Sequence, residues 1–180
     1  SDPLDEQAFV TRVVNFLEQQ PDWKNTAVIV TYDDSDGWYD HAYTAPTTAS
    51  YDATSKEGSV TGADQLNGPG TCYASGATQG TGVNGGVVNG RCGPGTRIPL
   101  LVISPYAKAN YVDHTQLTQA SVIRFIEDNW LGGQRLGGGS DDAKAGSLMN
   151  MFNFTASGGK TPALYLDTSK GTVLSSPPAS

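Results

Sequence analysis

From Asp5 to about Gln20 the apolar residues Phe9, Val10, Val13, Val14 and Leu17 recur at helical spacing. This 3.6-residue stripe predicts an amphipathic helix, with Asp2 and Pro3 as its start signal and Pro21 as its stop. The pattern then changes. "TAVIVTY" predicts a strand from about Thr26 to Tyr32. It is apolar on both faces, the signature of a strand covered on both sides, as in a parallel sheet. A second strand is predicted at about Ile98 to Ile103 in "RIPLLVISPY", where Pro99 is tolerated only near the strand start or on an edge. A second helix follows from about Thr118 to Leu131, with Val122, Ile123, Ile126 and Trp130 on its expected buried side.

Between the strands, from Thr47 to Thr96, no regular element is predicted. Twelve glycines fall from Gly58 to Gly95. A loop of that length is uncommon inside a compact domain and is usually functional or disordered, and a solvent-exposed insertion is the plainer alternative. "LGGQRLGGGSDDAKAGSL" reads as a linker, "ALYLDTSKGTVL" as a hairpin turning at Lys170-Gly171, and "SSPPAS" as a frayed tail. Helix followed by a two-faced strand is the α/β pattern. Two central strands are too few to complete such a sheet, so neighbouring strands are expected from outside this segment.

Composition narrows the partners. The 180 residues carry a net charge of -7, which argues against nucleic acid or an anionic membrane surface as the main partner. The longest apolar runs, "AVIV" and "IPLLVI", are far short of a transmembrane segment. The opening "SDPLDEQ" is polar and is not a signal peptide, so either a signal was removed or the native start lies upstream. Cys72 and Cys92 lie in the glycine-rich segment without C-x-x-C spacing. A disulfide is favoured over two free thiols. It would stabilise by roughly 3 kcal/mol in the chain-entropy model and would place the protein in an oxidising compartment, periplasmic or secreted.

The chemistry concentrates where the first strand ends. Asp33, Asp34, Asp36, Asp40 and His41 follow one another with no lysine or arginine among them. An EF-hand is excluded: Tyr32 stands where the loop needs its first acid, Tyr43 where it needs its last glutamate, and a strand enters in place of a helix. A catalytic metal is the sharper alternative. In open α/β sheets ligands bind beyond the carboxyl ends of strands, and a bend there lets Asp33 and Asp34 reach one divalent cation. Oxygen ligands suit Mg, Ca or Mn and contribute to Zn or Fe sites. The plain alternative is a solvated acidic turn. A lone histidine is more often a surface or packing residue than a ligand, and this holds for His41 and for His114.

"WKNTAVIVTYDDSDGWYDH", from Trp23 to His41, resembles the phosphoesterase family that contains bacterial phospholipases C and the related acid phosphatases. The second block, "GTRIPLLVISPYAKANYVDHTQLTQASVIRFIEDNW", is similar to the family's Gly-x-Arg-Ile-Pro strand, Ser-Pro turn and histidine-led helix, through Arg97, Pro99, Ser104, Pro105, His114, Ser121, Arg124, Phe125 and Glu127. "LMNMFNF" and "ALYLD" resemble its closing segments. The resemblance implies an alkaline-phosphatase-like α/β/α sandwich, incomplete here, with residues 1–180 as the C-terminal part of one larger domain and residues 47–96 as a glycine-rich, disulfide-stapled insertion. It implies a divalent metal ion held by Asp33 and Asp34 and a phosphate ester substrate. His41 and His114 are the candidate catalytic residues. Asp34 stands where many members have Glu, an arrangement closer to the acid phosphatases than to the phospholipases C. The glycine-rich segment and the absence of an amphipathic basic stretch favour hydrolysis of soluble phosphoric monoesters as the expected activity, with phospholipase C cleavage of headgroups, or a non-catalytic cation-binding or partner-binding fragment, as alternatives. The family's Glu-Asn motif has no counterpart, since the glutamates are Glu6, Glu18, Glu57 and Glu127. The N-terminal half of the same enzyme, carrying the Ser or Thr nucleophile, is thus the expected partner, and this chain alone is expected to be inactive.

Overall fold

The computed structural model describes residues 2–44, the backbone of 48–49, 56–57, 60–61, 80–81, 87–88 and 92–93, and residues 95–137, 140–155 and 161–178. They form two units, Ser1–Asp33 with Pro99–Ser180, and Asp34–Ile98.

In the first unit, helix α1 spans Pro3–Glu18. The Asp2 carboxylate accepts from the Leu4 N–H at 2.9 Å and Pro3 occupies the first turn, so the predicted start signal works as a cap. Strand β1 (Val28–Thr31) and strand β8 (Leu100–Ile103) form a two-stranded sheet. Its register pairs Val28 with Ile103 and Thr31 with Leu100, antiparallel. This corrects the expectation of a parallel sheet: two-sided apolarity carries no information on direction, and among the described residues one face is left partly open, with Leu101 exposed. Ser104, 5% exposed, locks the open end of the pair by donating to the Thr26 carbonyl at 2.9 Å.

Helix α2 spans Ala120–Trp130. Its buried side is Ser121, Phe125 and Glu127, with Val122 partly buried. Ile123, Ile126 and Trp130, predicted to be buried, are exposed instead. Phe125 joins Leu148 and Phe152 in the core, packed against Ile29, Leu100 and Val102 on one face of the sheet. The rings of Phe125 and Phe152 stack with centroids 5.0 Å apart.

The segment read as a linker supplies that core. After α2, Arg135 reaches back to Glu127 at 3.0 Å and Asp128 at 2.6 Å. Asp142, 1% exposed, accepts from the Leu136 N–H at 3.0 Å. Short 3-10 turns at Asp141–Ala143 and Leu148–Met151 then deliver Leu148, fully buried, into the cluster. Of the described glycines in this stretch, Gly132, Gly133 and Gly137 take positive φ and Gly146 serves packing. A Cβ added at Gly146 would stand 2.2 Å from the Gln116 carbonyl oxygen. The predicted C-terminal hairpin is present as a single antiparallel bridge, Leu166 with Val173, turning through Gly171 at φ +65°.

α1 buries a polar stripe, half-buries Val10, Val14 and Leu17 of the predicted apolar stripe, and leaves its other large apolar residues in solvent. Thr11, Asn15 and Glu18 are buried, while Phe9, Val13 and Phe16 are exposed. Asn15 Nδ2 donates to the Leu166 carbonyl at 2.7 Å and its Oδ1 accepts from the Leu166 N–H at 3.1 Å. Glu18 Oε1 accepts from the Leu164 N–H at 3.3 Å, and its Oε2 is buried without a partner. Burial pushes the Glu18 carboxyl above its ordinary value, partly offset by the Leu164 bond. A raised folded pKa means that the folded form binds the proton more tightly. The resulting stability is complete below the unfolded value and is lost as pH rises through the folded one. Glu18→Gln is therefore expected to melt above the parent at about pH 8 and level with it at about pH 4. Thermal melts at the two pH values measure this, and a variant less stable at both contradicts it.

In the second unit, the span predicted to lack regular structure contains short antiparallel rungs of two residues each. These are β2 (Thr48–Ala49) with β7 (Cys92–Gly93), β3 (Lys56–Glu57) with β4 (Val60–Thr61), and β5 (Gly80–Thr81) with β6 (Val87–Val88). Cys72 and the Cys92 side chain, and with them the expected disulfide, lie outside the described residues.

Candidate functional site

β1 runs out at Thr31, and the acidic motif follows at once. Gln119, just before α2, holds this end in place. Its Nε2 donates to the Tyr32 carbonyl at 3.1 Å and also to the Asp33 carbonyl. The Tyr32 hydroxyl donates to Glu6 of α1. Gln119 and Glu6 were not singled out from the sequence. The local signal for Gln119 is only its place at the mouth of α2, in the histidine-led block.

Beyond Asp33 the chain turns tightly. Asp36 (φ +48°) and Gly37 (φ +75°) are both in the left-handed region, and the Trp38 N–H donates to the Ser35 carbonyl at 2.8 Å. Two successive positive φ values with this bond make a type I′ turn, for which Asp-Gly is the favoured pair. Gly37 is required by its dihedral. A Cβ there would meet nothing within 4 Å. Asp34 Oδ1 accepts from the Asp36 N–H at 2.5 Å, so one carboxylate oxygen shapes the turn.

Asp33, Asp34 and Asp36 are exposed. Asp40 is different. Although no basic residue stands near it in sequence, Arg97 pairs with it, Nε to Oδ2 at 2.7 Å and Nη2 to Oδ1 at 2.8 Å, and the Arg97 N–H adds a bond to Oδ2 at 3.1 Å. The guanidinium and the Ala42 and Arg97 backbone N–H groups hold the Asp40 carboxyl well below the usual carboxylate range. The pair joins the two motif blocks that the sequence keeps 57 residues apart. His41 is exposed and lies edge-on to the Tyr39 ring, centroids 5.0 Å apart. His114 is exposed in the extended stretch before α2. Among the described residues no group of three or more His, Cys, Asp or Glu side chains is assembled closely enough to hold a metal ion. The oxygen donors of Asp33 and Asp34 suit a hard cation in kind, but they are two where about six are wanted. A groove of about 460 Å³ runs along β8, past Leu100, Leu101, Val102 and Tyr111, and contains none of the predicted site residues.

Two of the described hydroxyls near these elements are engaged in structure. Ser121, fully buried, accepts from the Thr118 N–H at 3.0 Å, and Ser104 bridges the strands. Among the described residues no helix is long and apolar enough to cross a membrane.

Comparison with known proteins places this geometry. The model of the Phosphoesterase family matches residues 1–131. The chain is 30% identical over 161 residues to a non-hemolytic phospholipase C of Burkholderia pseudomallei, covering 87% of the chain and 21% of that relative. It is 31% identical over 157 residues to a hemolytic phospholipase C of Pseudomonas aeruginosa, covering 83% and 18%. Phospholipase C B of Mycobacterium tuberculosis is 28% identical over 140 residues, covering 74% and 22%. The chain spans about a fifth of the length of these curated relatives. With the strand-end acid pair, the Asp-Gly turn and the arginine-led second strand all falling within or beside the matched region, the chain belongs to the Phosphoesterase family.

Proposed function

We propose that this chain is the C-terminal part of a metal-dependent phosphoric ester hydrolase of the phospholipase C type, acting outside the cytoplasm. The observation that carries the reading is the Asp33-Asp34 pair at the end of β1 in a chain whose named relatives are phospholipases C. These names favour a phosphodiester substrate over the monoester expected from the sequence. The monoester reading is kept as the second, on the strength of Asp34.

In this reading Asp33 and Asp34 hold a divalent cation, with the remaining ligands coming from outside the described residues. When bound, such an ion neutralises phosphoryl oxygens and lowers the pKa of a hydroxyl nucleophile. Gln119 fixes the backbone carbonyls beneath Asp33. The Asp40–Arg97 pair fixes the far side of the Asp-Gly turn. His41 and His114 are the only histidines of the chain and the candidates for proton transfer to the leaving oxygen. Ser104 and Ser121 are buried in structural bonds, and in this reading the nucleophilic hydroxyl is supplied by polypeptide beyond this chain.

The test compares an aryl phosphorylcholine diester with an aryl phosphate monoester, using the longer enzyme and the 180-residue chain, with and without chelator. The longer enzyme should cleave the diester faster by about tenfold or more, chelator should abolish this, and the chain alone should turn over neither. A preference for the monoester selects the second reading. Metal-dependent turnover by the chain alone overturns the assignment of the nucleophile.

A further inference from the structure

Phe9, Val13 and Phe16 stand at i, i+4 and i+7 on α1, one face of the helix, and are 64%, 37% and 58% exposed. Thr11, Asn15 and Glu18 repeat the same spacing two positions on, hence on the opposite face, and are buried. Val10, Val14 and Leu17 are half-buried, and a helix that still presents an apolar stripe opposite its buried polar one has a second surface to meet.

We propose that the Phe9–Val13–Phe16 stripe is the docking face for the remainder of a longer phosphoesterase polypeptide, so that α1 is covered on both sides in the whole protein. The inference rests on the reading of this chain as one part of a larger enzyme. Three observations favour that occupant. About four-fifths of each named relative lies outside the match, enough chain to cover the stripe. The sheet is open as well: three consecutive residues of β8 line one groove. Among the described residues β8 pairs with β1 alone, so its other edge carries no strand. The charge around the stripe is wrong for lipid. The exposed charges of α1 are Asp5 and Glu6 against the single Arg12, whereas helices that lie in a membrane surface are rich in Lys and Arg.

The test is alkylation of single cysteines introduced by Val13→Cys and Phe16→Cys, read by mass spectrometry on the peptide concerned, in the 180-residue chain and in the longer polypeptide. Val13→Cys is close in size to the parent residue and leaves docking intact. Both sites should react on the order of 30-fold or more slowly in the longer polypeptide, while Lys170→Cys, in the exposed hairpin turn, should react equally in both. Equal rates at Val13→Cys and Phe16→Cys overturn the proposal. So does slowing in the chain alone that grows with its own concentration, which would make a second copy the occupant. Slowing of the chain alone by phosphatidylcholine vesicles would make the face a lipid contact and overturn it as well. Hydrolysis is not read in this experiment, so failure of the phospholipase C assignment leaves the result interpretable.

Discussion

Leu148→Ala is expected to lower the stability of the chain by about 2–5 kcal/mol, the cost of a cavity at a fully buried leucine. Leu148 is 0% exposed and shares one core cluster with Phe125 and Phe152. Only a few apolar side chains of the described residues are fully buried, so the site has few neighbours that can move in. A chain with so small a core has limited reserve, and such a loss is a large share of any total. The comparison variant is Ile126→Ala on α2. Ile126 is 46% exposed, and its truncation should change stability by no more than about 0.5 kcal/mol. Urea unfolding of both variants measures the difference. Similar midpoints for the two would show that the core lies elsewhere.

In the longer enzyme, Asp33→Asn and Asp34→Asn are each expected to reduce kcat/KM by about 100-fold or more, which is about 2.7 kcal/mol of transition-state stabilisation. Either change keeps the side chain's shape and removes the charge that would hold a cation. Asp34→Asn keeps an oxygen able to accept from the Asp36 N–H, so the turn survives. The Asn variants should therefore melt within about 1 kcal/mol of the parent while losing activity. Near-parental activity in both would mean that the pair only solvates the turn. Loss of fold along with activity would mean that their role is structural.

Much of the fold was legible locally. The cap at Asp2, the limits of α1, the positions of β1, β8 and α2, and the turn through Gly171 all follow from short-range rules of capping, periodicity and positive φ. What was not legible depends on distance. The antiparallel pairing of β1 with β8 is a contact between segments about seventy residues apart. So is the neutralisation of Asp40 by Arg97, which reversed the picture of an acidic run with no basic partner. The helix faces misled for a different reason. Val13 and Ile126 read as buried because an apolar stripe always has a partner in a finished domain, and the described residues do not supply it. Glycine-rich sequence concealed core as well, since Gly146 is there to let the Gln116 backbone pass and Leu148 follows two residues later. For the site, the sequence located Asp33 and Asp34 at a strand end but could not locate Gln119, whose part is played by a side-chain amide reaching across to backbone carbonyls.

The Asp40–Arg97 pair has a consequence for how this part of the chain can change over generations. It fastens both ends of the intervening stretch, with the Thr48–Gly93 and Ala49–Cys92 rungs as a second fastening inside it. Once the ends of an excursion are pinned, its length is nearly free: doubling a flexible loop costs only about 0.6 kcal/mol. Insertions or deletions between Ala49 and Cys92 are therefore expected to leave the motif blocks on either side in register.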